Sequence, residues 1–563
     1  MPAHGFHFRY SLEQLRRYRH IISVLVKYGF KEVAEVLRSK VPVHLRRRAA
    51  QQVEPTLAAK TRPARVRLAL EELGPTFVKL GQLLSTRPDL VPQPYIAELE
   101  KLQDRVGPED PEVICAELER QLGGKVEQVF RRFEHTAIAA GSIAQVHRAT
   151  TIEGDEVVVK IRRPHIERTI RAECQILQDI AALLKATLFE HDTVDPQQMA
   201  RELTEAICRE ADLANERRNQ LRFIRSFAGD AGVHIPRVYE KYCTEAVLTT
   251  EYIDGIKPRD AQVLSQAGLD AKLVARRAAN FVFRQVFDCG FFHTDPHPGN
   301  FFLLENNVLV PIDFGQVAFL SWRDRRLLTE IVLSVVENEP ARIVQAVQDA
   351  EMLDERTDVN ELASDMDQLL GAYRDLPLKD IPVGEVISQA FELMRAHRVR
   401  PPAQFALMLK SVMTVEAFAK KLDPEFDIVR TLRPFARQLT MQYADPRRFL
   451  RSMRRAMQTA QDMAGRLPAD LNAIISKFRQ GKFQLRVHHE HLETLTKTLD
   501  KSSNRISFAL IIAALLVASS ILVPQQGTVL GVVDLQTLGV LGYLVAAIIG
   551  IWLVLSIIRS RHL

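Results

Sequence analysis

The residues of this chain best suited to chemistry lie in His293-Thr-Asp295-Pro-His297-Pro-Gly-Asn300 and, further on, in Asp313-Phe314-Gly315. An acid, an asparagine five positions later and a second acid opening an Asp-Phe-Gly suit phosphoryl transfer from a magnesium nucleotide. Asp295 can take the proton of an attacking group, while Asn300 and Asp313 offer oxygens to Mg²⁺. The two histidines also fit an H-x-D-x-H metal-hydrolase site, but that reading leaves Asn300 and Asp313 without a role. Loop-positioning hydrogen bonds suit the imidazoles better.

Phosphoryl transfer asks the protein to hold phosphates, neutralise charge and align donor with acceptor. Lys160 ends the strand-like run Glu156-Val-Val-Val-Lys160 and is placed to reach the phosphates. Glu216, in Glu210-Ala-Asp212-Leu-Ala-Asn-Glu216, is the candidate helix partner of that lysine. The 56 positions between them require an inserted segment. Where a phosphate-cradling G-x-G-x-x-G loop belongs, the chain has Ala139-Ala140-Gly141-Ser142, whose alanines restrict the backbone and crowd the approach. After Gly315 a helix follows within a few residues near Trp322. There is no A-P-E and no room for the long segment on which protein kinases dock peptides.

The surrounding elements follow from period and punctuation. Residues 10–50 read as amphipathic helix, and Ala64 to Leu84 as a second helical run. Ile143–Ala149 and Glu156–Ile161 flank the turn Glu153-Gly-Asp155 as a β-hairpin, residues 166–228 are helical, and Ala246–Asp254 is a strand leading to a hinge. Beyond Gln262 the chain is helical apart from short strands around Asn300 and Asp313. Two apolar runs, Ile506–Val523 and Leu538–Ile558, approach the length of a membrane span and are flanked outside by Lys501, Arg505, Arg559 and Arg561, which places both termini in the cytoplasm. The His488-His489-Glu490-His491 cluster reads as a solvated helix face.

Net charge is +6, and residues 1–67 hold fifteen Lys or Arg against four acids. Such a terminus suits an anionic surface, and the apolar C-terminus favours a membrane over nucleic acid. Five scattered cysteines without a C-x-x-C pair indicate neither a zinc site nor a disulfide framework, and no secretory signal is apparent. The expected fold is α/β in the α+β, helix-rich sense: a bilobal protein-kinase-like body with an N-terminal helical extension and a C-terminal transmembrane helical hairpin. Its expected parts are a basic N-terminus (1–68), an extension (69–125), an N-lobe with a helical insertion (126–258), a helical C-lobe (259–465), a membrane-proximal helix (466–505) and two spans (506–558).

Several stretches resemble the UbiB/AarF family of atypical, protein-kinase-like proteins. Leu73-Gly-Pro-Thr-Phe-Val-Lys79-Leu-Gly81-Gln82 is similar to its K-x-G-Q extension, Ala140-Gly-Ser-Ile-Ala-Gln-Val-His147 to its alanine-rich loop, Glu210-x-Asp212 to its E-x-D motif, and His293–Asn300 with Asp313-Phe-Gly to its catalytic segments. Gly141 and Ala137 depart from the alanine and proline frequent there. The resemblance implies that the extension covers the face where a protein substrate would dock. It implies nucleotide contacts along Ile138, Ala139, Ala140, Gly141, Ser142, Ile143, Ala144, Gln145 and Val146, with Lys79, Gln82, Glu210 and Asp212 entering the same site. Lys160 and Glu216 would form the ion pair, Asp295 the proton acceptor, and Asn300 and Asp313 the Mg²⁺ ligands. ATP and Mg²⁺ are the implied cofactors. Membrane lipids, quinone-lipid intermediates, enzymes of ubiquinone biosynthesis and a second copy of the chain are the implied partners, at a bacterial inner membrane. An ATPase or small-molecule kinase, a protein kinase and a nucleotide-gated lipid-binding scaffold are the three readings.

Overall fold

The computed structural model describes residues 12–40, 60–102, 107–187, 195–443 apart from 355, 375 and 377–380, and 492–559 apart from 525–527 and 530–532. The chain divides into two compact units, Met1–Phe449 and Leu450–Leu563.

The first unit contains a small antiparallel sheet made of β1 (Phe130–Phe133), β2 (Ala139–Ala140), β3 (Ala144–Thr151), β4 (Glu156–Arg162) and β5 (Val247–Glu251), ordered β1-β3-β4-β5 with β2 on β3. Side chains alternate across a strand. In β4 that period sends Val157, Val159 and Ile161 fully into a core with Phe130, Ile114, Leu118 and Tyr242. Lys160 therefore emerges on the opposite face. Three helices lie between β4 and β5, Ile166–Thr187, Pro196–Glu210 and Leu213–Ser226, the first two being the insertion expected before the helix of Glu216. Asp195 and Asp212 start the second and third by accepting from the free N–H groups of the first turn.

The helical run expected over 64–84 is two helices, Arg62–Leu73 and Pro75–Ser85, broken where Gly74 has φ +95° and Pro75 begins the next turn. The basic helices Leu12–Lys27 and Lys31–Lys40 bury Ile21, Val24 and Leu37 against Phe77 and Ile176. Their apolar stripe is covered by the chain's own helices.

The C-lobe is built on Ala271–Arg284 and Ala403–Leu422, with the short strand pairs Phe291–His293 with Val317–Phe319 and Phe301–Leu304 with Val308–Pro311. Its core is aromatic: Phe223, Phe281, Phe283, Phe292, Phe301 and Phe314 are all essentially inaccessible.

The second unit is a hairpin of Leu492–Leu522 and Leu535–Arg559 joined through the strand pair Thr528–Val529 and Val533–Asp534. The helices meet on small residues. Ser519 and Ala546 are buried, and a Cβ added at Gly539 would come within 3.0 Å of the Val523 backbone nitrogen. Among the described residues no helix is long and apolar enough to cross a membrane. The two spans expected from the sequence are therefore not supported as such. The first helix opens with a polar half containing Glu493, Lys497, Asp500, Lys501 and Arg505, which shortens its apolar part. The His488–His491 cluster and most of the membrane-proximal segment lie outside the described residues.

Candidate active site

β4 and the helix Leu213–Ser226 meet at an ion pair. Lys160 Nζ donates to both Glu216 oxygens, at 2.9 and 2.7 Å, and Asp313 Oδ1 lies 3.7 Å away. Burial drags the Lys160 pKa down, but Glu216 and then Asp313 overcome it and the net direction is up. Burial pushes Glu216 up, opposed by Lys160. The Lys160 ammonium holds the Asp313 carboxyl well below the usual carboxylate range; burial opposes this, and His293 and the Gly315 N–H assist it.

Asp313 sits at φ +64°, in the left-handed region, and its neighbour Phe314 is buried. The Phe314 ring packs 5.0 Å from Phe223, on the helix that carries Glu216, and Asn219 of that helix donates to the Phe314 carbonyl at 2.9 Å. Asp313 and Glu216 are thus fixed by one packing unit. Gly315 is wedged beside them: a Cβ there would lie 3.7 Å from Glu216 Oε2 and 4.0 Å from Glu210 Cγ.

The His293–Asn300 segment is held by its own backbone. His293 Nδ1 accepts from Asp295 N at 3.0 Å, His297 Nδ1 from Gly299 N at 3.1 Å, and Asn300 Nδ2 donates to the Asp295 carbonyl at 3.1 Å. Both histidines therefore shape the loop. His293 Nε2 is buried without a partner among the described residues. The Asn300 amide nitrogen is engaged, so its oxygen is the atom it would offer a metal, and Asp313 is ionised with 48% of its side chain accessible. Two hard oxygen donors of this kind fit Mg²⁺.

The extension reaches the same place. Lys79, buried, pairs with Glu210 at the end of the second insertion helix, and Gln316 donates to Glu210 Oε2 at 3.4 Å. Gln82 instead donates to the Leu102 carbonyl at 3.3 Å, inside the extension. The Asp212 carboxylate accepts from Ala214 N at 2.9 Å as the cap of the Glu216 helix and lies 3.5 Å from Arg218.

The alanine-rich segment is a tight hairpin, with Ala139 opposite Val146, Ala140 opposite Gln145, and Gly141 N bonded to the Ala144 carbonyl at 2.9 Å. Ile138 and Ala139 are exposed, and Ser142, Ile143, Ala144 and Gln145 are buried. Ile143 packs on Ile170, Cys174 and Ile207 of the insertion, and Gln145 accepts from Glu109 N while donating to His147. The Ile143 side chain thus serves packing and the Gln145 side chain ties the hairpin to its neighbours. Backbone N–H groups are what this hairpin can offer a phosphate.

Four positioning residues were not among those expected from the sequence. Arg163 donates to the Gly141 carbonyl at 2.9 Å and to Glu109 at 2.8 Å, clamping the hairpin. Gln285 opens one π-helical turn, Gln285–Cys289, and its Oε1 accepts from His293 N at 2.8 Å. Ser411, fully buried, donates to the His293 carbonyl at 3.0 Å, and Lys410 beside it feels Asp295. A strand-ending Lys-Ile-Arg-Arg could have flagged Arg163; the rest depend on tertiary packing.

Residues 101–347 match the ABC1 atypical kinase-like domain, residues 366–427 the UbiB helical domain, and residues 490–559 the ABC1/UbiB kinase-like C-terminal domain. The chain is 31% identical to a probable protein kinase UbiB of Xanthomonas campestris over 91% of this chain and 94% of the relative. It is 35% identical to a probable protein kinase UbiB of Pseudomonas aeruginosa over 71% and 75%. A solved structure of Mycobacterium tuberculosis Rv3197 with erythromycin is 25% identical, covering 64% of this chain and 92% of its own, with a TM-score of 0.45. Matched by three successive domains and by relatives above 30% identity along most of its length, the chain belongs to the ABC1/UbiB family of atypical kinase-like proteins.

Proposed function

We propose that the chain binds Mg-ATP between its lobes and hydrolyses it, or passes the terminal phosphoryl to a small molecule, in support of ubiquinone biosynthesis at a membrane. The observation that carries this is the Lys160–Glu216–Asp313 cluster, in which a charged lysine and an ionised carboxylate share one opening. Lys160, held by Glu216, meets the phosphates. Asn300 and Asp313 would hold the metal, which supplies charge neutralisation on the phosphates when bound. Asp295 accepts the proton of the attacking hydroxyl.

The acceptor is read as water or a small molecule because only Gln316–Ser321 separates Asp313-Phe-Gly from the helix Trp322–Glu337, and Val317–Phe319 is tied up with Phe291–His293. The extension also lies close, since Glu100 acts electrostatically on the same lysine as Asp295. The names of the relatives, probable protein kinase, favour a second reading in which a biosynthetic protein is phosphorylated. Membrane residence is read from the large apolar side chains that the C-terminal hairpin leaves exposed, among them Ile506, Leu510, Val517, Leu541 and Ile551, and the cytoplasmic side from the flanking Lys501, Arg505, Arg559 and Arg561.

The test is calorimetric titration of the full chain with Mg-ATP, alongside quinone profiling in a deletion strain. Lys160→Met abolishes binding, and Asp313→Asn fails to restore quinone. Restoration by Asp313→Asn to the parent level would refute a catalytic role for the metal. Radiolabel on a purified partner, dependent on Asp295, would establish the second reading.

A further inference from the structure

The catalytic segment from His293 to Asn300 contains no lysine or arginine. If Asp295 receives the acceptor's proton, the phosphoryl in transit passes beside it, and its three oxygens need a cation there. Lys160 and Lys79 are engaged by Glu216 and Glu210.

The helix Ala403–Leu422, outside the matched kinase-like domain, brings a third lysine to this spot. Ser411 on it donates to the His293 carbonyl at 3.0 Å, two residues before Asp295, which itself donates its N–H to His293 Nδ1. That bond fixes the register of the helix against the catalytic segment. Lys410 precedes Ser411, is half-buried, and makes no ion pair among the described residues. The carboxylates acting on its ammonium are Asp295 and Glu100, and burial lowers its pKa against them. A partly dehydrated ammonium one residue from the Ser411–His293 bond, and without an ion pair among the described residues, gains from a phosphate oxygen brought to it.

We propose that Lys410 is the cation that receives the terminal phosphate of the nucleotide during transfer, a catalytic residue supplied by the helical C-terminal region. This rests on the Mg-ATP reading above. In the step concerned, an acceptor oxygen bonds to the terminal phosphorus and its proton passes to Asp295. The bond to the bridging oxygen breaks, its electron pair leaving with ADP, and Lys410 neutralises charge on the phosphoryl oxygens throughout.

The test compares a β,γ-imido ATP analogue with ADP, each with Mg²⁺, by calorimetry on the full chain. Lys410→Met should lower analogue affinity about ten- to a hundredfold, the worth of one charge-assisted contact, and leave ADP affinity unchanged. Lys410→Arg should restore part of it. Glu100→Gln, at an exposed position, should raise the analogue-to-ADP ratio about two- to fivefold by removing a competing charge. A purely structural lysine would weaken both nucleotides alike, and that result overturns the proposal. So does an unchanged ratio in folded Lys410→Met or, should that variant not fold, in Glu100→Gln. A parent chain that binds neither nucleotide would instead remove the Mg-ATP reading, and this proposal with it.

Discussion

Replacing Glu216 by glutamine tests the site most directly, because shape is kept while one charge is removed. The Glu216 side chain is 7% accessible and Lys160 27%, and two bonds of 2.7 and 2.9 Å join them. Hydrogen bonds to charged groups contribute about 1.5–3 kcal/mol, and breaking a fully buried pair costs about 3–5 kcal/mol. The lower range applies here. Lys160 keeps some solvent, glutamine can still accept one bond, and Asp313 waits 3.7 Å away as a replacement counter-ion. A loss of about 1.5–2 kcal/mol is expected in denaturant unfolding. The functional loss is larger than the stability loss suggests, since a lysine drawn onto Asp313 occupies the carboxylate that the metal needs. Mg-ATP affinity should fall at least about tenfold, or about 1.4 kcal/mol. The double variant with Lys160→Met should show a coupling energy of about 1 kcal/mol or more, because each single change disables the same pair. Stability within about 0.5 kcal/mol of the parent and a coupling energy near zero would refute the reasoning.

Gly81→Ala should destabilise the chain although alanine favours helix, because the added Cβ meets Leu102 and lies 2.9 Å from Leu70 in a closed interface. Overpacking of about 1–3 kcal/mol outweighs a propensity gain of about 1 kcal/mol, so the melting temperature falls. Gly141→Ala should fold as the parent does, since its Cβ would meet only the Ala144 carbonyl at 3.5 Å; unfolding curves should superimpose within about 0.5 kcal/mol. Burial lowers the pKa of His147, against the pull of the Glu134 carbonyl, so the unfolded imidazole takes its proton first. Stability from this residue is full above about pH 6.5 and is lost as pH falls through the lower folded value. Denaturation midpoints of the parent should drop across that window more steeply than those of His147→Asn, and parallel curves would exclude the assignment.

The sequence disclosed this site unevenly, and the reasons are physical. Lys160 was readable because a two-residue period put Val157, Val159 and Ile161 on one face and left the lysine on the other. Asp295, Asn300 and Asp313 were readable because their spacing along one chain segment is itself the chemical requirement. Asp212 could be read in two ways, since an Asp before a helix also serves as a cap, and here the Ala214 N–H engages it. The break at Gly74-Pro75 was audible in the sequence yet lost inside a longer helical period. Lys410, Ser411 and Gln285 were invisible for another reason. Each acts on the His293–Asn300 segment across packed helices, and no local pattern distinguishes a helical lysine that faces a catalytic acid from one that faces water.

That distinction bears on why phosphoryl chemistry here should depend on the helical C-terminal region. In a chain whose catalytic segment holds histidines and no fixed cation, positive charge must arrive from outside the segment. It comes from three directions: Lys79 on the extension, Lys160 on β4 and Lys410 on the helix Ala403–Leu422. Two of them are already engaged by glutamates, so the balance of charge at the opening is set by whichever lysine is not. Detaching the Ser411 hydroxyl from the His293 carbonyl, by Ser411→Ala, would loosen that third contribution while leaving the other two intact. Turnover should then fall more than ADP affinity does. An equal fall in both would mean that the helix supports the lobe as a whole and not its chemistry.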